Sequence, residues 1–440
     1  MKAHRFINRL EATDFAEFQG NVTRISTTSI DADGPIAKVG DYCEIDVGAG
    51  RDRIIAEVVS LEARHIRLMP LRSARAIRMG ARVTPARSIK GVAYGDSFCG
   101  RAVDALGQAI DGAGPINPTG FASRDGIIPK MLDRAATGKR VSTGVRVIDG
   151  LFPIGEGQRI GIFSASGVGK TSLIEQLSRQ IQCDQIVLCL IGERGREVEK
   201  LWNMHLREEQ KRRFTIVAAT SDESASMRVR AVDQALAIAE HWRSQGKHIV
   251  LFVDSITRLA LAQREVGLAA GEPPTVRAFT PNVFTAMPRI VERCGSEQSS
   301  GGSITAIFTV LSETDDVDDP VVELMKSLLD GHIVLSRRLA EKGHFPAVDV
   351  SASVSRMANV LFSAEEAAHA QEAHRIFAEY DEARPMIESG IYRQGSNRQI
   401  DQAIVHYPKL ISFLQQRMDD VSAIESTRSA LARVLPERVT

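Results

Sequence analysis

The segment RIGIFSASGVGKTSLIEQL reads as a buried strand, a glycine-containing turn and the start of a helix. Gly167 and Gly169 let the backbone curl around a chain of phosphates. Ser166, Val168, Gly169, Lys170, Thr171 and Ser172 then line the turn and the helix amino end, where free N–H groups supply a positive field. Lys170 can reach terminal phosphates, and Thr171 places a hydroxyl where magnesium would sit. The full pattern GxxxxGK[ST] asks for glycine at 164, and this chain has Ser164. The strand before the turn and the helix after it carry the phosphate-binding reading over a simple glycine turn ahead of a core helix.

Two carboxylates stand at the ends of other apolar runs. KHIVLFVDSITRLA closes its run on Asp254, and a carboxylate at the carboxyl end of a parallel strand lies near a ligand crevice, where it would hold magnesium mainly through water. LIGERGREVEK places Glu193 after another apolar run, and such a carboxylate can orient and deprotonate an attacking water. Arg194, Arg196 and Glu197 surround Glu193 with charge that can fix its position, or form an exposed ion-pair cluster. GHFPAVDVSASVSRM carries Arg356, which on residue type alone is equally a surface arginine entering the last part of the chain.

These groups need a scaffold. The 440 residues predict two to four domains. Apolar residues at 43% and charged residues at 25% describe a globular chain. Lys plus Arg and Asp plus Glu balance at 55 each and aromatics are 5%, which argues against a nucleic-acid binder. No apolar run reaches the roughly 18 residues of a membrane span, and MKAHRFINRLEATDF is too polar for a secretory signal. The five cysteines form no CxxC pair, so no zinc site is expected, and they suit a reducing cytoplasm.

Along the chain, residues 1–19 read as an N-terminal arm. From 20 to 90, short β-rich stretches (NVTRIS, YCEIDV, IIAEVVS, HIRLMPL) separated by turn residues predict a small β-barrel. Residues 91–356 form the phosphate-binding domain, opening with a turn-rich linker over 100–140. The apolar runs RIGIFSA, QIVLCLI, FTIVAAT, HIVLFVD and ITAIFTVL alternate with helical patterns there, which predicts a parallel sheet covered on both faces. Residues 357–440 carry helical periodicity, with a helix–turn–helix tip expected near Tyr380–Pro385. Eight basic residues and no acidic one lie between Arg64 and Lys90 (Arg64, Arg67, Arg72, Arg75, Arg78, Arg82, Arg87, Lys90), either a solvated barrel face or a docking surface for acidic lipid or an acidic subunit.

At GRAVDALGQAIDGAGPI, SASGVGKTSL, IGERGREV and PAVDVSASVS the chain resembles the hexameric ATP synthase α/β superfamily, and Pro346 to Ser355 matches that superfamily's signature along its whole length. Within it, the chain is most similar to type III protein-export ATPases, flagellar or injectisome, on GERGREV, on GEPP at Gly271–Pro274, on LDGHIVLSR at Leu329–Arg337 and on YRQGSN. The resemblance implies an α/β fold of β-barrel, central RecA-like P-loop domain and α-helical C-terminal domain. It implies ATP and Mg2+ as ligands, with Lys170 on the β/γ-phosphates, Thr171 and Asp254 on the metal side, and Glu193 as the catalytic carboxylate with Arg194 beside it. Arg356 matches an arginine finger reaching a neighbouring subunit, Phe345 an aromatic packed on adenine, and Tyr392 a candidate for the other face of that base. Ala165 stands where export ATPases commonly have glycine, which touches loop geometry but leaves Gly167, Gly169 and Lys170 intact.

The expectation that follows is a homohexamer hydrolysing ATP to energise flagellar or type III protein export, releasing and unfolding substrates. Glu193, Lys170 and Arg356 on one sequence favour six equivalent sites over an alternating ring. The resemblance further implies a stator-like regulator at the N-terminal region, a coiled-coil central stalk at the C-terminal domain, a membrane export gate, and substrates with chaperones. It places the ring in the cytoplasm at the inner face of the bacterial membrane, with no nucleic acid and no transmembrane segment. The alternatives are a virulence-type injectisome ATPase, a rotary ATP synthase catalytic subunit, a Rho-like RNA translocase, and a nucleotide-binding subunit without turnover.

Overall fold

The computed structural model describes residues 18–48, 53–72, 74, 76–86, 89, 91–135, 138–203, 213–311 and 319–436. They form two compact units. One holds the described part of Met1–Gly91 with Asp222–Val229 and Leu261–Val283, and the other holds the rest.

The first unit contains a closed barrel of β1 (Gly20–Ile25), β2 (Ile30–Ala32), β3 (Tyr42–Asp46), β4 (Arg53–Glu62), β5 (His65–Pro70) and β6 (Arg82–Pro85), hydrogen-bonded in the order β1-β2-β5-β4-β3-β6. Alternate residues point inward, so Cys43, Ile45, Ala56, Val58, Ile66, Leu68 and Val83 fill the interior. The four stretches expected as strands are β1, β3, β4 and β5. The other two are too short to show an alternating pattern, yet they close the barrel and leave no open edge. Arg67 of the basic stretch is engaged, bonding Asp31 at 2.8 Å and Glu62 at 3.2 Å. Arg72, Arg78 and Arg82 are exposed. Arg75, Arg87, Lys90 and nearly all of the expected N-terminal arm lie outside the described residues.

The second unit opens with short strands. β7 (Val92–Tyr94) pairs with β9 (Gly120–Ala122), and β10 (Arg140–Val141) pairs with β11 (Ile154–Gly155). Between them β8 (Ala102–Val103) joins the main sheet against Ile216 and Val217, so the expected linker contributes a strand to the domain it precedes. The five long apolar runs form β12 (Arg159–Ser164), β13 (Gln185–Glu193), β14 (Phe214–Thr220), β15 (His248–Asp254) and β17 (Ser303–Leu311). With β18 (Gly331–Leu335) and the short β19 (Val354–Ser355) the order is β19-β18-β12-β17-β15-β13-β14-β8, and β16 (Gly295–Ser296) pairs antiparallel with β17. The strands from β18 to β8 are parallel. β13 is buried from Ile186 to Glu193, as a strand covered on both faces must be.

Three helices close this unit, Ala364–Glu388, Arg398–Leu414 and Ile424–Val434. Ser363 and Glu366 form a capping box at the start of the first, and Asn397 caps the second. The first runs unbroken through Pro385, and the chain turns only after Glu388, so the tip expected near Tyr380–Pro385 lies further along. Packing explains the difference. The Tyr380 and Tyr407 rings stack 3.7 Å apart, and Arg384 bonds Asp381 and the Tyr407 hydroxyl, which holds the helix across the residue that would otherwise end it.

Candidate active site

Strands β12, β15 and β13 deliver Ser164, Asp254 and Glu193 at their carboxyl ends, on one edge of the sheet. The loop from Ala165 to Gly169 leads into the helix Lys170–Gln180. Gly167 and Gly169 adopt φ of 80° and 95°, the left-handed region that glycine occupies without strain. Ser164 instead ends β12 in extended backbone, where a side chain is tolerated. That is the physical reason the missing glycine leaves the loop intact. A Cβ placed on Gly169 would lie 3.3 Å from the Phe345 ring, so this aromatic sits directly against the loop. Phe345 is 46% exposed.

The charged groups converge. Lys170 Nζ donates to Asp254 Oδ1 and stands 3.9 Å from Glu193 Oε1. Thr309, inside β17, donates its hydroxyl to the same Asp254 oxygen at 2.6 Å. Glu193 follows Gly192, whose φ is 65°, and the pairing of β13 with β14 shifts register at this point. The bulge re-aims the Glu193 side chain out of strand alternation. Arg258, on the helix Ile256–Ala270, bonds the Gly192 carbonyl and brings its Nε to 3.3 Å from Glu193 Oε1. Burial, with the Asp254 charge beside it, pushes the Glu193 carboxyl up to about 7, against the pull of Lys170 and Arg258. A carboxyl held near neutrality suits a group that takes a proton from water.

Among the described residues, no cluster of three or more His, Cys, Asp or Glu could hold a metal alone. The donors at the loop are the half-buried Thr171 hydroxyl and the buried Asp254 carboxylate. That sparse oxygen set fits magnesium, which keeps several waters and takes phosphate oxygens.

The remaining expected residues divide. Arg194 is exposed, and its carbonyl accepts from the Glu197 and Val198 N–H groups at the start of the helix Gly195–Asn203. Ser166, Gly167 and Ser172 are exposed along the loop, while Val168 is buried beneath it. Arg356 lies at the opposite edge. Ser355 pairs with Gly331, the first residue of β18, and Arg356 N–H donates to the Asp330 carbonyl beside the start of β12. The five residue-to-residue steps from Arg159 to Ser164 set it roughly 17 Å along the sheet from the loop, beyond the reach of one side chain. Tyr392 is tied into its own turn, with its hydroxyl bonding Asp401 at 3.0 Å and the Asn397 carbonyl at 2.9 Å. The segment that meets Phe345 is the one after the helix Arg398–Leu414, where Gln416 N–H donates to the Phe345 carbonyl at 2.9 Å.

Gly192, Arg258, Thr309 and Gln416 therefore contact the candidate site residues without having been singled out by sequence. Arg258 lies four residues beyond Asp254, one helical turn on, and Thr309 is a hydroxyl inside an apolar strand. Both are signals of a kind a closer reading could use. Gln416 carries no such signal.

Comparison with known proteins gives three matching family models. The ATP synthase alpha/beta nucleotide-binding domain matches residues 144–355, its beta-barrel domain residues 22–86, and the T3SS EscN ATPase C-terminal domain residues 362–433. The flagellum-specific ATP synthase of Bacillus subtilis is 40% identical over 98% of both chains. The type 3 secretion system ATPase of Xanthomonas euvesicatoria is 40% identical over 94% of this chain and 93% of its own. The solved structure of the assembled ATPase EscN, from the type III secretion system of enteropathogenic E. coli, superposes with a TM-score of 0.89 at 37% identity, covering 94% of this chain and 99% of that one. EscN solved in complex with its central stalk EscO gives 0.85 at 36% identity, with the same coverage of each chain.

Proposed function

The chain belongs to the ATP synthase alpha/beta family, and on that premise we propose that it is a magnesium-dependent ATPase, acting as a homohexamer that energises protein export of the flagellar and type III class. The observation that carries the reading is the division of Glu193 and Arg356 between opposite edges of one sheet. One sequence holds both halves of a site, and no single chain can close it. A head-to-tail contact repeated until it closes brings the Arg356 edge of one copy to the loop edge of the next.

The expected chemistry is phosphoryl transfer to water through a loose transition state, so catalysis is mainly positioning and charge stabilisation. Loop N–H groups from Ser166 to Ser172 and the Lys170 ammonium hold the β/γ-phosphates, and Lys170 exchanges its bond with Asp254 for phosphate oxygens. Magnesium, when bound beside Thr171 and Asp254, would offset phosphate charge. Thr309 fixes the Asp254 carboxylate for that role. Glu193, held by Arg258, orients the attacking water and accepts its proton. Arg356 of the next copy stabilises charge on the transferring oxygens. Phe345 packs on the adenine, steadied by Gln416, with Tyr392 reserved for the far face only if its turn opens.

The match of residues 362–433 to the EscN C-terminal domain favours export over a rotary synthase subunit. Flagellar and injectisome relatives are equally similar, so the proposal is made for the class they share. On this reading the helical domain meets a coiled-coil central stalk, a stator-like regulator binds the N-terminal region, and the ring works beneath a membrane export gate on substrates with their chaperones. Its place is then the cytoplasm, at the inner face of the membrane. Among the described residues no helix is long and apolar enough to cross it.

The test is the steady-state magnesium-ATPase rate against protein concentration. The expected result is a specific activity that climbs steeply as copies assemble and does not respond to RNA. A rate per chain that is flat from the monomer range upward would mean a site complete within one chain, and would overturn the reading.

A further inference from the structure

Residues 127–132 carry four large apolar side chains into solvent, with Ile127 63%, Ile128 43%, Met131 89% and Leu132 95% exposed. The backbone that presents them is fixed at both ends. Ile127 N–H donates to buried Glu240, and the Ile127 carbonyl accepts from buried Arg243. Gln298 N–H donates to the Asp133 carbonyl at 2.7 Å, and Ser299 bonds the Asp133 carboxylate through its N–H and its hydroxyl. Arg134 bridges to Glu297, next to β16, which pairs with the first residues of β17. The segment therefore sits at the amino-terminal edge of the sheet, opposite the phosphate loop.

Arg356 occupies the same edge, and a chain of ion pairs connects the two. Arg134 bonds Glu292 at 2.5 Å, Glu292 bonds Arg159 at 3.0 Å, Arg159 bonds Asp330 at 2.9 Å, and the Asp330 carbonyl accepts from Arg356 N–H. Arg159 and Asp330 are at the starts of β12 and β18, so this network runs across the strand ends and is not a loose surface pairing. Two almost fully exposed apolar side chains on a rigid turn mark a contact surface. A head-to-tail ring needs this edge covered, because it is the edge that must deliver Arg356.

We propose that Met131 and Leu132, flanked by Ile127 and Ile128, form the apolar anchor by which this edge seats on a second copy of this chain, beside the arginine it delivers. The proposal rests on the ring reading above. Apolar side chains at the centre of such a contact exclude water around the charged groups at its margin. The anchor thus sets how firmly Arg356 is held in the neighbouring site.

The experiment uses the full-length protein with ATP and magnesium. Assembly is followed by sedimentation velocity over a concentration series for wild type, the double variant Met131→Asp/Leu132→Asp, and the apolar exchange Met131→Leu/Leu132→Met. The aspartate variant is expected to need at least about tenfold more protein to assemble. Its fluorescent-ADP affinity and its melting curve, both taken at concentrations where wild type is unassembled, should match wild type, because both side chains are exposed in the single chain. The apolar exchange should assemble as wild type does. An aspartate variant that assembles at wild-type concentrations overturns the anchor while the ring reading stands. A wild type that never self-associates overturns the ring reading and the anchor with it. An aspartate variant whose melting curve collapses overturns the claim that the two side chains serve contact between copies and not the single chain's own fold.

Discussion

Glu193→Gln lowers steady-state ATP hydrolysis by about 10²–10⁴ and leaves nucleotide affinity close to wild type. The amide keeps the shape of the side chain and its place on the Gly192 bulge, but it cannot accept a proton from water. Lys170 retains Asp254 as its partner, so the phosphate loop keeps its charge arrangement. Turnover assay and fluorescent-nucleotide titration separate the two effects. A fall in affinity equal to the fall in rate would make Glu193 a binding residue instead. The same variant has a consequence for stability. In the metal-free, nucleotide-free chain, burial raises this carboxyl from 4.5 to about 7. The folded protein then holds the proton more tightly than the unfolded chain does. Stability is lost as pH rises from the unfolded value through the folded one, and the loss is complete above it. Glu193→Gln removes the charge, so its melting temperature should exceed wild type at about pH 8, with the gap closing by about pH 5.

Arg356→Ala should reduce hydrolysis by about 10³–10⁵, the range for removal of an arginine finger in nucleotide hydrolases. Arg356 is exposed, with a guanidinium bond to the Lys326 carbonyl at 3.1 Å, and lies far from the loop of its own chain. Nucleotide affinity of the single chain and the melting curve should therefore be unchanged. Arg356→Lys should recover little, because an ammonium cannot offer the planar fork that spans two phosphate oxygens. Turnover within threefold of wild type in the alanine variant would remove Arg356 from the chemistry.

Most of the candidate site was readable because the chemistry proposed for it leaves linear marks. A phosphate loop needs glycines at fixed spacing before a lysine, and a buried parallel strand announces itself as an unbroken apolar run ending in a carboxylate. Lys170, Thr171, Asp254 and Glu193 fall on such marks. The helpers do not. Arg258 and Thr309 join the site because β15 and β17 are neighbours of β13 and β12, and strand order is a property of the fold, not of a segment. Gln416 reaches Phe345 from 71 positions along the chain, through packing of the terminal helices alone. The missed barrel strands are short, and closure supplies the partners that a pattern of three or four residues cannot advertise. The helix across Pro385 persists for a related reason. Aromatic stacking of Tyr380 on Tyr407 outweighs the local preference to stop.

The central claim is that each active site is built from two copies, and mixing the two dead variants tests it directly. In a random one-to-one ring of Glu193→Gln and Arg356→Ala chains, about one quarter of interfaces join an intact Glu193 to an intact Arg356. The expected result is recovery of roughly that fraction of the wild-type rate on mixing, from parents that are each inactive. A mixture as inactive as its parents, with rings of both chains present, would contradict a shared site.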